Sequence, residues 1–203
     1  MNSGAERRLV MAAAFAMVSA GAFQAHAQRS GAMPEWGPRQ LMDALRQVRS
    51  SSARYVETRT YRMLNQTVSS SGRLIYVAPD RLQKETIEPV PARLTVNGDR
   101  LTIERQGEPT REISLRDHSE VGAFVESIRA TLAGDLPALT RYFTVGLAGD
   151  ANAWTLTLAP MDPKLRELVT TIRIKGTRAS IVDVETTEAD GDRTDMAIRP
   201  DQK

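Results

Sequence analysis

A hydrophobic period of two, recurring in about ten short segments, constrains this chain more than any other feature. Trp154, Leu156 and Leu158 alternate with Thr155 and Thr157, and Ile172 and Ile174 alternate with Arg173 and Lys175. Successive side chains of an extended chain point to opposite faces, so each such segment is a strand with one apolar and one wet face. The pattern predicts strands at Tyr55–Leu64, Gly72–Val77, Arg81–Ile87, Ala92–Val96, Arg100–Glu104 and Arg111–Leu115. It predicts further strands at Arg141–Leu147, Trp154–Ala159, Thr171–Lys175, Ser180–Thr187 and Arg193–Arg199. Thr67–Ser71 reads as the turn between the first two strands, Asn97-Gly98 as a tight type I′ turn and Asp190-Gly191 as the last hairpin.

Only two long segments carry a helical period. Leu41, Met42, Leu45 and Val48 follow Pro38, which suits a first helical turn, and Ser50–Ser52 should end that helix. Val121, Phe124, Val125, Ile128 and Leu132 form a second stripe, with Asp117 and Glu120 placed as a capping box and Gly134 at its end. Asp135–Leu139 reads as an added short turn. Two helices cannot cover the apolar faces of about ten strands, so the sheet must curl into a barrel or half-barrel. At that strand number the interior is wider than side chains easily fill, and the helices could close a cavity. A filled sandwich would produce the same alternation, and periodicity does not separate the two.

Residues 1–27 read as a secretory signal peptide: Arg7 and Arg8, an apolar run to Phe23, and the small-x-small site Ala25-His26-Ala27. Residues 28–37 read as a mobile leader, and 38–203 as a single domain. The 27 Lys and Arg are balanced by 25 Asp and Glu and are interspersed with them, which argues against nucleic acid as a partner. The absence of cysteine removes disulfides, thiolate metal sites, cysteine nucleophiles and a cysteine-linked lipid anchor, so the mature chain is expected to be freely soluble.

Catalytic patterns are also scarce. His118 is the one histidine beyond the signal and reads as a solvated cap or loop residue, no G-x-S-x-G elbow occurs, and the serine clusters at 50–52 and 69–71 read as turns. Neither a G-x-G-x-x-G nor a G-x-x-x-x-G-K-[ST] loop is present. Asp190, Asp192 and Asp195 do not match an EF-hand loop and read as a polar hairpin tip. The expectation is no enzyme, no cofactor and no metal. Glu57 and Arg59 share a strand face with Tyr55 and Tyr61; if that face is the inner one, they could form a polar ring that binds a head group.

Taken in order, Tyr55-Val56-Glu57, the run Ser71-Gly72-Arg73-Leu74-Ile75-Tyr76 to Pro79-Asp80-Arg81-Leu82, Val96-Asn97-Gly98, Trp154 through Pro160, Ile172-Arg173-Ile174 and Asp190-Gly191-Asp192 resemble the periplasmic outer-membrane lipoprotein carrier family, LolA. The resemblance covers about Pro38 to Ile198. It implies a mainly β fold, an open antiparallel half-barrel with a helical lid that encloses a hydrophobic cavity for acyl chains. It further implies a monomeric periplasmic carrier taking a lipid or lipidated protein from an inner-membrane exporter towards an outer-membrane acceptor. The alternative is a lipid-sensing regulatory or interaction module of the same fold. The candidate lining residues are Leu74, Tyr76, Leu94, Val96, Leu101, Ile103, Trp154, Leu156, Leu158, Ile172, Ile174, Val182 and Val184, with Leu45, Val48, Phe124 and Ile128 from the lid. Each is equally expected in an ordinary core. One position departs from the family: where other members carry an arginine directly before the proline, linking barrel to lid, this chain has Ala78. Energy-coupled loading of lipoproteins therefore does not transfer, and the pattern is closer to divergent members with small-lipid cargo.

Overall fold

The computed structural model describes residues 36–201. The expected signal peptide and most of the leader lie outside them. All eleven expected strands form: β1 (Ser50–Tyr61), β2 (Gln66–Val77), β3 (Arg81–Glu88), β4 (Ala92–Asn97), β5 (Arg100–Arg105), β6 (Arg111–Ser114), β7 (Phe143–Asp150), β8 (Ala153–Pro160), β9 (Val169–Thr177), β10 (Ser180–Glu188) and β11 (Arg193–Pro200). They make one antiparallel sheet in the order β6-β5-β4-β3-β2-β1-β11-β10-β9-β8-β7. Two meanders, β1 to β6 and β7 to β11, are therefore stitched together at the β1–β11 pair, and β6 and β7 remain as open edges. This is the expected half-barrel, curled but not closed.

The helices are α1 (Pro38–Arg46), α2 (Ser119–Ala133), α3 (Leu136–Leu139) and α4 (Pro163–Arg166). Pro38 opens α1, and the Gln40 side chain accepts the Gly37 N–H at 3.1 Å. α2 and α3 lie in the segment joining β6 to β7, the two edges of the sheet, so the chain must cross the open side there. α2 accordingly packs on both arms. Ala123 and Ala130, with Phe124, join the core built on β7 to β9, while Val121 and Val125 join Val96, Leu82 and Leu101 on β3 to β5.

Several local expectations are corrected by pairing. Ser50–Ser52 and Thr67–Ser71 are strand, not turn, because β1 and β2 pair continuously from Ser50↔Val77 to Tyr61↔Gln66. The satisfied backbone ladder outweighs the turn preference of serine, a weak local term. The chain instead reverses at residues 62–65, where Asn65 takes φ 46°. At the β4–β5 hairpin Asn97 pairs with Arg100, so the two loop residues are Gly98 and Asp99. Gly98 has φ 56° and Asp99 is not in the left-handed region, the pattern of a type II′ turn rather than I′. α1 ends at Arg46, which leaves Val48 in the following turn. His118, not Asp117, is the N-cap of α2, and it makes no side-chain cap.

Candidate functional site

Cross-strand register identifies the inner face. Tyr55 opposes Ile198 and Gly72, Leu74 opposes Ala53 and Lys84, Leu94 opposes Lys84 and Ile103, and Leu156 opposes Leu147 and Ile174. The outer face carries cross-strand ion pairs such as Arg93 with Glu85 and Arg173 with Glu185.

The expected lining residues separate into three environments. Trp154, Leu156, Leu158, Ile172 and Ile174 are buried against Leu41, Met42 and Leu45 of α1, Leu139 of α3 and Phe143. They form a filled core, because α1, α3 and α4 all pack on the β7–β9 arm; Leu45, expected on a lid, belongs to this core. Val184 is half-buried against it. Val96 and Leu101 sit in the smaller cluster on the other arm, and Tyr76 is buried. Leu74, Leu94 and Ile103 are half-buried and belong to neither cluster, as are their inner-face neighbours Met196 and Ile198. They form an interrupted apolar strip on the inner face from β5 to β11, with Lys84 of β3 between Leu74 and Leu94. Of the residues expected on the lid, Phe124 and Val48 are half-buried, whereas Ile128 stays 38% exposed. Val182 is also 38% exposed, because the register shifts between Ile181 and Asp183 and the bulge puts it outside the inner rows. Two open surface depressions occur among the described residues, one of about 480 Å³ bounded by Met42, Arg46, Leu136 and Thr140, the other of about 320 Å³ bounded by Glu85, Arg93, Glu104 and Arg105. Neither is lined by any residue expected to line a cavity.

The inner face is not purely apolar. Glu57 and Arg59 do face inward, as the polar-ring reading requires. Lys84 Nζ donates to Glu57 Oε2 at 2.6 Å and stands 5.0 Å from the centroid of the Tyr55 ring. The Tyr55 hydroxyl meets Thr86 Oγ1 at 2.8 Å, and Ser70 Oγ donates to Glu57 Oε1 at 3.4 Å. Burial raises the Tyr55 phenol above its ordinary value, with the Thr86 bond opposing and Glu57 adding to the shift. Alternation on β3 should have exposed Lys84, since it falls between Leu82 and Thr86 on the inner row; its sign went unread because a lysine is ordinarily a solvent-face residue.

Nearer the strand ends Arg59 Nη2 donates to Glu188 at 2.8 Å and lies 3.7 Å from Asp192. Glu188, Asp190 and Asp192 bring one carboxylate oxygen each within 4.8 Å of the others. Asp195 is not part of this group and pairs with Arg193 instead. Asp192 accepts the Arg62 N–H and Asp190 the Asp192 N–H, so Arg59 and the turn backbone already engage these acids. Burial raises the Glu188 pKa from its ordinary 4.5; Arg59 opposes this, and Asp190 and Asp192 reinforce it. The folded state therefore binds more protons than the unfolded one in that window, and stability falls as pH rises from 4.5 through the raised value. Glu188→Gln should flatten this component, read as a smaller loss in the urea midpoint between about pH 4 and about pH 7.

Residues 36–198 match the family model described as outer membrane lipoprotein carrier protein LolA-like. The chain belongs to the LolA-like family. Comparison with the curated proteins finds no match. Among solved structures the chain is similar to a LolA superfamily protein from Nitrosomonas europaea, at 7% identity over 79% of this chain and 90% of that one, with a TM-score of 0.40. It is similar to a DUF1329 family protein from Desulfovibrio piger at 11% identity, covering 79% and 89% of the two chains, TM-score 0.43. A third similar structure is the MucA/MucB complex of Pseudomonas aeruginosa, at 12% identity over 80% of this chain and 55% of that one, TM-score 0.39.

In this LolA-like chain Ala78 indeed supplies no link from sheet to helix, and Arg81 is exposed on the outer row opposite Val77. A link exists with the opposite polarity. Arg129 of α2 donates from Nη1 to the Gly98 carbonyl at 3.1 Å and lies 3.8 Å from Asp80, which ties the helix to the β4–β5 and β2–β3 turns. Sequence reading missed Arg129 because it lies on a helix whose orientation over the sheet is a tertiary property. His118 is exposed, with Nδ1 3.1 Å from the Ser114 carbonyl. No helix among the described residues is long and apolar enough to cross a membrane.

Proposed function

We propose that this LolA-like protein is a periplasmic carrier that binds the acyl chains of a lipid or lipoprotein and moves them towards the outer membrane. The observation that carries the reading is the half-buried strip of Leu74, Leu94, Ile103, Met196 and Ile198 on the inner face of an open sheet. These side chains retain exposed apolar area, and a long acyl chain laid along them would gain about 0.8 kcal/mol per buried CH₂. Export to the periplasm rests on the signal-like sequence of residues 1–27. An inner-membrane exporter as donor and an outer-membrane acceptor complete the proposed route. Binding needs no metal, cofactor or nucleophile, and the family description is of a carrier rather than a catalyst.

Native mass spectrometry of protein purified from the periplasm, followed by organic extraction and lipid analysis, tests this directly. The expected result is a stoichiometric acyl-bearing adduct. Leu94→Glu should weaken acyl binding at least tenfold while shifting the melting temperature by only a few degrees, about what a half-exposed site costs. A bare protein that also fails to bind any added acyl compound would overturn the reading.

A further inference from the structure

The paired charges on the inner face have no evident structural purpose. Glu57 lies in the row of Met196 and Ser70, and Lys84 between Leu74 and Leu94, each in a position that alternation would otherwise give to an apolar or neutral side chain. Their side chains are only 17% and 25% exposed. A partly desolvated ion pair of this kind gains little stability over apolar residues of similar volume. It does offer a recognition element within the row of half-buried apolar residues. The ammonium has three donors, of which one serves Glu57 Oε2.

Resting on the carrier reading, we infer that Glu57 and Lys84 form a head-group subsite for uncharged acyl esters or amides, which discriminates against free fatty acids. A carbonyl oxygen can accept a remaining N–H of Lys84 while the tail follows Leu74, Leu94 and Ile103. The neighbouring Thr86 hydroxyl, half-buried and held by the buried Tyr55, can exchange a hydrogen bond with a glycerol hydroxyl. A free carboxylate reaching the same ammonium would come close to the Glu57 carboxylate, which already holds it at 2.6 Å. Two like charges in a partly dry site repel one another, and that repulsion is the basis of the selectivity.

The test is displacement of an uncharged apolar fluorophore, 1-N-phenylnaphthylamine, from the full-length protein by 1-monooleoylglycerol and by oleate. Monooleoylglycerol should displace the fluorophore from the unaltered protein at a concentration at least tenfold below that of oleate. Glu57→Gln leaves the Lys84 charge uncompensated and should improve oleate at least tenfold, reversing the preference. Lys84→Met should lower the affinity for monooleoylglycerol about tenfold relative to that for the fluorophore, each measured on the same variant. Equal displacement by both compounds in the unaltered protein and in Glu57→Gln, or an oleate preference in the unaltered protein, would overturn the subsite and leave the carrier standing. Failure of the fluorophore and of both acyl compounds to bind would overturn both.

Discussion

Gly134→Ala is expected to destabilise the protein by about 3 kcal/mol or more, a loss carried by collision as well as strain. Gly134 ends α2 in the left-handed region, at φ 65°, where it closes the helix with its N–H on the Ala130 and Thr131 carbonyls. A Cβ there would strike the Met42 backbone carbonyl oxygen of α1 and approach Arg46 N and Cβ to 2.9 Å. Arg46 Nη2 also donates to the Gly134 carbonyl at 2.8 Å, so the end of α2 and the last turn of α1 are one joint. Neither partner is the far end of a flexible side chain, and the helices must separate to accept the methyl group. For a chain of this size the melting temperature should fall by roughly 6–12 °C. A change below about 1 kcal/mol, within the range of strain alone at a left-handed site, would mean that α1 does not dock against the end of α2.

Leu156→Glu is expected to prevent folding. Leu156 is fully buried on the inner row of β8, flanked across the sheet by Leu147 and Ile174 and covered by the α1 and α3 side chains. A carboxylate there must be desolvated or take up a proton, surrounded by a cluster made mostly of aliphatic and aromatic side chains. Holding it neutral at pH 7 corresponds to a pKa raised by about 3 units or more, roughly 4 kcal/mol, and the lost Leu transfer energy adds about 2 kcal/mol. Together these approach the whole stability of an ordinary domain, about 5–15 kcal/mol. Loss of the far-UV circular dichroism and of the cooperative urea transition is the expected readout. A folded Leu156→Glu protein with an unchanged midpoint would show that the β8 row faces open space. The contrast with Leu94→Glu is informative, because both leucines belong to the same alternating pattern and the same sheet face.

That pair of leucines also marks how far the sequence could be read. All eleven strands and both long helices were legible because alternation and the helical stripe are properties of the chain itself. The left-handed stop at Gly134 and the inward direction of Trp154, Leu156, Leu158, Ile172 and Ile174 followed from the same patterns. Strand extents were less legible. The serines of β1 and β2 lie in a ladder that only the partner strand makes favourable, and the β4–β5 turn moved by one residue because pairing, not the Asn-Gly dipeptide, set it.

For the candidate site, alternation assigned a side to each side chain but not its opposite partner. Leu156 and Leu94 became core and strip only when α1, α3 and α4 settled on the β7–β9 arm. Lys84 acquired a meaning only when β2 and β3 brought it to Glu57, and Arg129 only when α2 lay across the opening. The sequence by itself determined a one-sided, eleven-stranded sheet, since a period of two is encoded residue by residue. Which part of the inner face is filled and which part stays open was decided by the tertiary structure, because the segment joining β6 to β7 must span both edges of the sheet and most of the helical surface available to cover it lands on one arm.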